Sequence, residues 1–246
     1  ESGQPGPVLV NVPMDIFSEK IDSSTFKRIA GNTRQLVKPS IDDETARSIV
    51  STLAEAKDPV MYVGGGILLA QASAELAEFV EHMQIPVSHS LMGKGALPDD
   101  NPLVLGMTGF WGTELVNQSC LKADYIFALG TRFKEADCSS WYPGYTFNIP
   151  GSKVIHIDIE PAEIGRNYPT EIGVVADAKS ALRVLNRVAK EMYPNGFKQP
   201  ELKQKIADFR SQFKASNSAM QASDAFPMMP ERILADVRKA LPSDAI

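Results

Sequence analysis

Cysteine is nearly absent: Cys120 and Cys138 are the only two in 246 residues. Two thiols build no disulfide framework, and without a C-x-x-C pair they mark no metal knuckle. The cytosol is therefore the expected compartment. Histidine is equally scarce, and His82, His89 and His156 stand at no metal-ligand spacing. There is no G-x-S-x-G elbow. Gly93-Lys94-Gly95 is not a P-loop, lacking its spacing and the Ser or Thr after lysine. Long apolar runs are missing too. Stretches such as Tyr125–Leu129 fall far short of the roughly 20 residues a membrane helix needs. Residues 1–7 (ESGQPGP) have neither the basic start nor the apolar core of a secretory signal. Nor is positive charge in excess. Lys and Arg number 25 against 30 Asp and Glu, a net charge of -5. That balance argues against a general attraction to nucleic acid or an anionic membrane.

What remains is ordinary globular material, 43% hydrophobic and 22% charged, which suffices for a sizeable core. The length fits one large domain with appendages or two small ones. Val8–Val12 reads as a short β-branched strand ended by Pro13 and Asp15. Residues 16–40 show no sustained period and read as a linker. Ala46, Ile49, Val50 and Leu53 recur at helical spacing behind Asp42 or Asp43, predicting a capped helix to about Ala56. Five apolar strands follow, at 59–63, 85–89, 125–129, 153–159 and 173–176, with helices expected over 70–82, 112–121 and 177–192. Strands alternating with helices mean βαβ units and a parallel sheet covered on both faces. The expected fold class is α/β, a Rossmann-like three-layer α/β/α domain. A polar helix is expected from about Pro200 to Lys214, then an exposed Met-rich linker over 215–229, then an amphipathic helix from Pro230.

In an open parallel sheet, ligands bind beyond the carboxyl ends of the strands. Those ends carry Gly64-Gly65-Gly66, Ser90-Leu91-Met92, Gly130-Thr131-Arg132, Asp158-Ile159 and Asp177. Glycines let a backbone approach a phosphate. Arg132 can fork onto one, and Asp158 and Asp177 can accept from ribose hydroxyls. Together these groups suggest a nucleotide site. Singly, each has a plainer reading: tight turns for the glycines, a surface ion pair for Arg132, helix caps for the acids. The triple glycine is not G-x-G-x-x-G, and no acid stands ~20 residues beyond it, so the dinucleotide fingerprint fails. His82, late on a helix, suits the helix dipole. His156 reads as a satisfied core residue, and His89 stays open between ligand and core. Trp111, Trp141 and Tyr142 read as pocket cover or as core or subunit contacts.

Gly3–Asp15 (GQPGPVLVNVPMD), Pro59–Gly66, Leu91–Ala96, Gly130–Phe133, His156–Ile164 and Pro230–Ile246 carry a resemblance that covers nearly the whole chain. In that order they resemble the acetolactate synthase-like branch of the thiamine diphosphate-dependent enzymes. The resemblance implies three α/β domains in a longer parent. Residues 1–15 would end its pyrimidine-binding domain and 16–40 would be a linker. Residues 41–193 would form its central domain, with a mainly parallel sheet of about six strands. Residues 194–229 would be a helical linker and 230–246 the start of the pyrophosphate-binding domain.

The family's central domain binds FAD in some members, ADP in one branch and nothing in others. By motif, the nucleotide contacts carried over are Gly64, Gly65, Gly66, Ser90, Leu91, Met92, Gly130, Arg132, Asp158, Ile159 and Asp177. Thiamine diphosphate and Mg²⁺ belong to the intact parent. The glutamate that activates the cofactor is expected upstream of residue 1, and no G-D-G motif occurs here. The isolated chain is therefore expected to be inactive. The parent is expected to be a cytoplasmic homodimer or homotetramer that makes or breaks C–C bonds of 2-oxo acids. Two departures stand out. Gly130–Ala136 (GTRFKEA) has Ala136 where the synthases usually carry a second arginine, and Phe110-Trp111-Gly112 replaces their M-H-G. Two other classes remain: a free-standing nucleotide-binding oxidoreductase, and a ligand-free structural or oligomerisation module.

Overall fold

The computed structural model describes residues 3–22, 24, 37–242 and 245. Six strands, β1 (Val60–Val63), β2 (Val87–His89), β3 (Val104–Met107), β4 (Tyr125–Leu129), β5 (Lys153–Asp158) and β6 (Ile172–Val175), form one sheet. Every pair of neighbours is parallel, in the order β3-β2-β1-β4-β5-β6. The register sets Met61 beside Phe127 and Phe127 beside Ile155. All of β1, and all of β4 except Tyr125, is buried. Covered on both faces, these strands show unbroken apolar runs rather than alternation.

The helices are α1 (Met14–Ser18), α2 (Asp43–Glu55), α3 (Gly66–Leu69), α4 (Ser73–Met83), α5 (Glu114–Lys122), α6 (Glu135–Cys138), α7 (Ala178–Met192), α8 (Pro200–Gln221) and α9 (Pro230–Ala240). One face of the sheet is closed by α2, α4 and α7. Ile49, Leu76, Phe79, Leu182 and Leu185 pack there with Met61, Phe127 and Ile155. The other face buries Tyr62, Ile126 and Ala128 with Val116 and Cys120 of α5, Phe133, Phe147 and Ile206 of α8. Three layers result, α/β/α, as the alternating pattern predicts. Asp42 caps α2 by accepting the Thr45 N–H at 2.7 Å, which settles which aspartate starts that helix. The ion pairs between α2 and α7, such as Arg47–Glu191, are solvent-exposed, so apolar burial rather than charge holds these helices down.

Three expectations are corrected. Val8–Val12 is largely exposed and pairs with no strand among the described residues. A sixth strand, β3, lies at the sheet edge. Gly106 sits there at φ +121 beside a register shift at Val87/Ser88, and that break hides the strand's periodicity. Helix α8 runs on to Gln221 through the expected linker. Its polar residues turn inward to the helix: Ser216 and Asn217 donate to the Phe213 carbonyl and Ser218 to that of Ala215. The helix expected over 70–82 is α4, and a short helix, α3, precedes it, starting at Gly66. Residues 25–36 of the expected linker lie outside the described residues.

The apolar contacts concentrate stability in the sheet and its two helix layers. Phe127, fully buried on a central strand, should cost about 3–5 kcal/mol when replaced by alanine. Leu234→Ala on α9, at a residue 69% exposed, should cost under about 0.5 kcal/mol. Urea unfolding of the two variants checks the contrast.

Candidate functional site

The strand order reverses between β1 and β4, where connections depart to opposite sides. An open crevice forms at such a switch point, beyond the carboxyl ends. Here the two backbones nearly touch. The Gly64 N–H donates to the Leu129 carbonyl and the Gly66 N–H to that of Gly130, both at 3.0 Å. The Gly130 N–H donates onward to Ile157 at 2.9 Å. A Cβ on Gly64 would strike the Gly130 carbonyl oxygen and lie 2.7 Å from Thr131 Cα. One on Gly66 would lie 2.7 Å from Gly130 Cα, and Gly130 itself sits at φ +59. Gly64, Gly66 and Gly130 are thus required by this backbone crossing, a different reason from the approach of a phosphate.

Around the crossing opens a cavity of about 330 Å³. It brings together Gly64, Gly65, Gly66, Ser90, Met92, Gly130, Arg132, Asp158, Ile159 and Asp177. Leu91, expected with them, does not line it. Its side chain is 51% exposed, and its N–H donates to Asp137 Oδ1 at 3.1 Å. Lys38, Lys134 and Asp137 also line the cavity, and sequence reasoning missed all three; Thr131, of the strand-end triplet, lines it too. Lys38 lies in an aperiodic linker. Lys134 and Asp137 lie beyond the strand-end triplet that drew attention. None of Trp111, Trp141 and Tyr142 lines it; the Trp141 indole N–H instead donates to the Phe133 carbonyl at 2.7 Å.

The charges divide into committed and open groups. Asp177 caps α7, accepting the Ser180 N–H at 3.0 Å, and pairs with Lys38 at 3.0 Å. Burial alone would raise its pKa, but the Ser180 N–H and the Lys38 ammonium outweigh it and hold the carboxyl below the ordinary range. Asp158 commits one oxygen, Oδ1, to the Glu160 N–H at 2.9 Å, and burial pushes its pKa up. Arg132 stands with its Nε 3.6 Å from Glu163 Oε1. No carboxylate lies within ion-pair reach of Lys134 among the described residues. Phosphate can meet Arg132 and Lys134, and a hydroxyl can meet Asp158.

The remaining reactive side chains are occupied or quiet. His156 Nε2 lies 2.9 Å from the Thr131 carbonyl and His89 Nδ1 2.9 Å from that of Ser90. A carbonyl only accepts, so each of those nitrogens carries the proton. His82, on α4, does not line the cavity; its backbone carbonyl accepts the Phe197 N–H, and its ring Nε2 is buried without a hydrogen-bond partner. Burial pushes both thiols up to about 12, so neither is a thiolate nucleophile at neutral pH.

Two expected outcomes follow. Gly64→Ala, forced against backbone, should destabilise by about 3 kcal/mol. Gly95→Ala, at φ +85 in open space, should cost only about 1 kcal/mol; denaturant titration separates them. Burial lowers the pKa of His89 and His156 below 6.5, so the unfolded chain binds protons that the folded one refuses. Stability should therefore fall as pH drops below 6.5. His156→Gln, whose amide still reaches a carbonyl as donor, should flatten that fall in melting curves taken across the range.

Residues 46–185 match the thiamine pyrophosphate enzyme central domain. The glyoxylate carboligase of Escherichia coli O157:H7 is 36% identical over 244 residues, covering 99% of this chain and 40% of that protein. A probable acetolactate synthase large subunit of Methanocaldococcus jannaschii is 33% identical over 244 residues, covering 98% of this chain and 39% of that protein. The chloroplastic acetolactate synthase 1 of Zea mays is 35% identical over 237 residues, covering 94% and 36%. The chain spans about two-fifths of the length of these relatives. The matched stretch runs from α2 into α7 and holds all six strands with the crevice between β1 and β4. The chain therefore belongs to the thiamine pyrophosphate enzyme family, as a central domain.

Proposed function

We propose that this chain holds an adenine nucleotide in a thiamine diphosphate-dependent, acetolactate synthase-like carboligase acting on 2-oxo acids. The observation that carries the reading is the switch-point cavity, where ten of the eleven residues expected from strand ends converge. Its volume of about 330 Å³ lies at the lower end for small-molecule sites and suits an adenosine diphosphate portion. ADP fits as such; FAD fits with its flavin portion reaching past these walls.

The residue chemistry matches that group. Arg132 and Lys134 supply cationic donors to phosphate, and the second carboxylate oxygen of Asp158 accepts from ribose. Leu69, Ile157 and Ile159 give apolar wall to the base. Asp177, already satisfied by Ser180 and Lys38, anchors the linker at the rim rather than reading the ligand. Thiamine diphosphate and Mg²⁺, held by the flanking domains, would supply the carbanion chemistry. On this reading residues 41–193 brace those domains, and 1–15 and 230–246 belong to them. Neither histidine nor thiol here is poised for acid–base or nucleophilic work, so the chain alone turns nothing over.

Thermal melts with ADP, FAD and NAD test this. At ligand near 100 times Kd, ADP or FAD should add about 2.7 kcal/mol of stability, and Arg132→Ala or Asp158→Ala should remove most of that gain. No shift with either ligand overturns the nucleotide reading. Carboligation of pyruvate by the isolated chain, given thiamine diphosphate and Mg²⁺, would overturn the assignment of catalysis to the flanking domains.

A further inference from the structure

Arg132 is held from the turn that follows β5. His156 Nε2 donates to the Thr131 carbonyl at 2.9 Å. Asn167 Nδ2 donates to the carbonyls of Arg132 and Phe133 at 2.9 and 3.2 Å. The Tyr168 ring meets that of Phe133 edge-on at 5.2 Å. The backbone at 131–133 is thus fixed by residues 156–168.

The side chain is held from the same turn. Glu163 is 7% exposed, yet it sits between two arginines. Its Oε1 lies 3.6 Å from Arg132 Nε and 3.0 Å from Arg166 Nη1, while its Oε2 is buried with no hydrogen-bond partner. A buried carboxylate is costly to keep unless its pairing serves some end. The pairing here is on the Nε side of Arg132, so the terminal Nη groups of the fork stay available. Arg132 lines the cavity with 40% of its side chain exposed, and Glu163 does not line it. Two guanidiniums against one carboxylate leave the cluster cationic. An arginine without such a tether must surrender its rotamer freedom when it binds.

We infer that Glu163 is a positioning residue for nucleotide recognition: it orders Arg132 so that the guanidinium meets the diphosphate, without touching the ligand. This rests on the nucleotide reading of the cavity. Glu163 itself should be silent toward any ligand that lacks phosphate.

The experiment is calorimetric titration of the whole chain with ADP and, separately, adenosine. Glu163→Gln keeps the shape and removes the charge. It should weaken ADP about tenfold and leave adenosine within about twofold. Arg132→Ala should weaken ADP at least as much, and adding Glu163→Gln to it should change ADP affinity by less than about twofold, since coupled sites do not add. Unchanged adenosine binding shows that the variant's site is intact. An equal loss of ADP and adenosine binding in Glu163→Gln overturns the inference, as does an additive double variant. If Arg132→Ala binds ADP as tightly as the unsubstituted chain, the phosphate assignment of Arg132 fails and takes the inference with it. That result differs from the case in which Arg132→Ala weakens ADP and Glu163→Gln does not, which overturns the role of Glu163 alone.

Discussion

Where β1 and β4 end, two chain segments pass closer than any side chain allows. The Gly64–Gly66 turn lies against Gly130, and hydrogen bonds stitch the crossing on both sides. That approach keeps β1 and β4 adjacent at the point where the sheet changes direction. The crevice opens beside it, lined by residues of both segments. Everything assigned to the cavity, Arg132 included, hangs from this contact. A larger residue at Gly64 or Gly66 would separate the strands before it affected any ligand.

The electrostatics build on the same geometry. Several charges around the cavity are paired: Lys38 with Asp177, and Glu163 with both Arg132 and Arg166, which leaves that trio net cationic. Such pairing lowers the cost of partly buried charge. What stays uncommitted is small in number: the Nη groups of Arg132, the Lys134 ammonium and the second oxygen of Asp158. A ligand that offers both phosphate and hydroxyls fits this set better than a uniform anion.

The body of the fold was legible because β1 and β4 are buried on both faces, so their apolar runs stand out against polar helix faces. The helices α2 and α7 were legible through their caps, Asp42 and Asp177, each followed by an apolar stripe. β3 was not, because Gly106 breaks its pattern. The length of α8 was not, because serine and asparagine favour loops in isolation yet satisfy themselves on helix carbonyls here. Strand-end logic located the cavity, but it took every residue of a turn as equal. It therefore counted Leu91, which points outward, and passed over Asp137, which holds the Leu91 N–H. Lys38 was invisible because it is brought in by Asp177, 139 positions away, and no local period reports such a contact.

The departures from the synthase pattern form a single place rather than two. Gly109, at φ +81, presses so near Ala136 and Asp137 that a Cβ would meet their backbone. Ala136 lies in α6, and Phe110 and Trp111 extend from the Gly109 turn as an exposed edge-to-face pair at 5.5 Å. The residue that replaces an arginine and the one that replaces a histidine therefore border one corner, next to Asp137. The switch-point glycines, Arg132 and Asp158 lie at or just beyond the carboxyl ends of β1, β4 and β5, away from that corner. On the proposed reading, a change confined there would leave the groups at those strand ends in place. An adenine nucleotide would draw its contacts from those groups and, at the edge of the corner, from Lys134, which precedes α6.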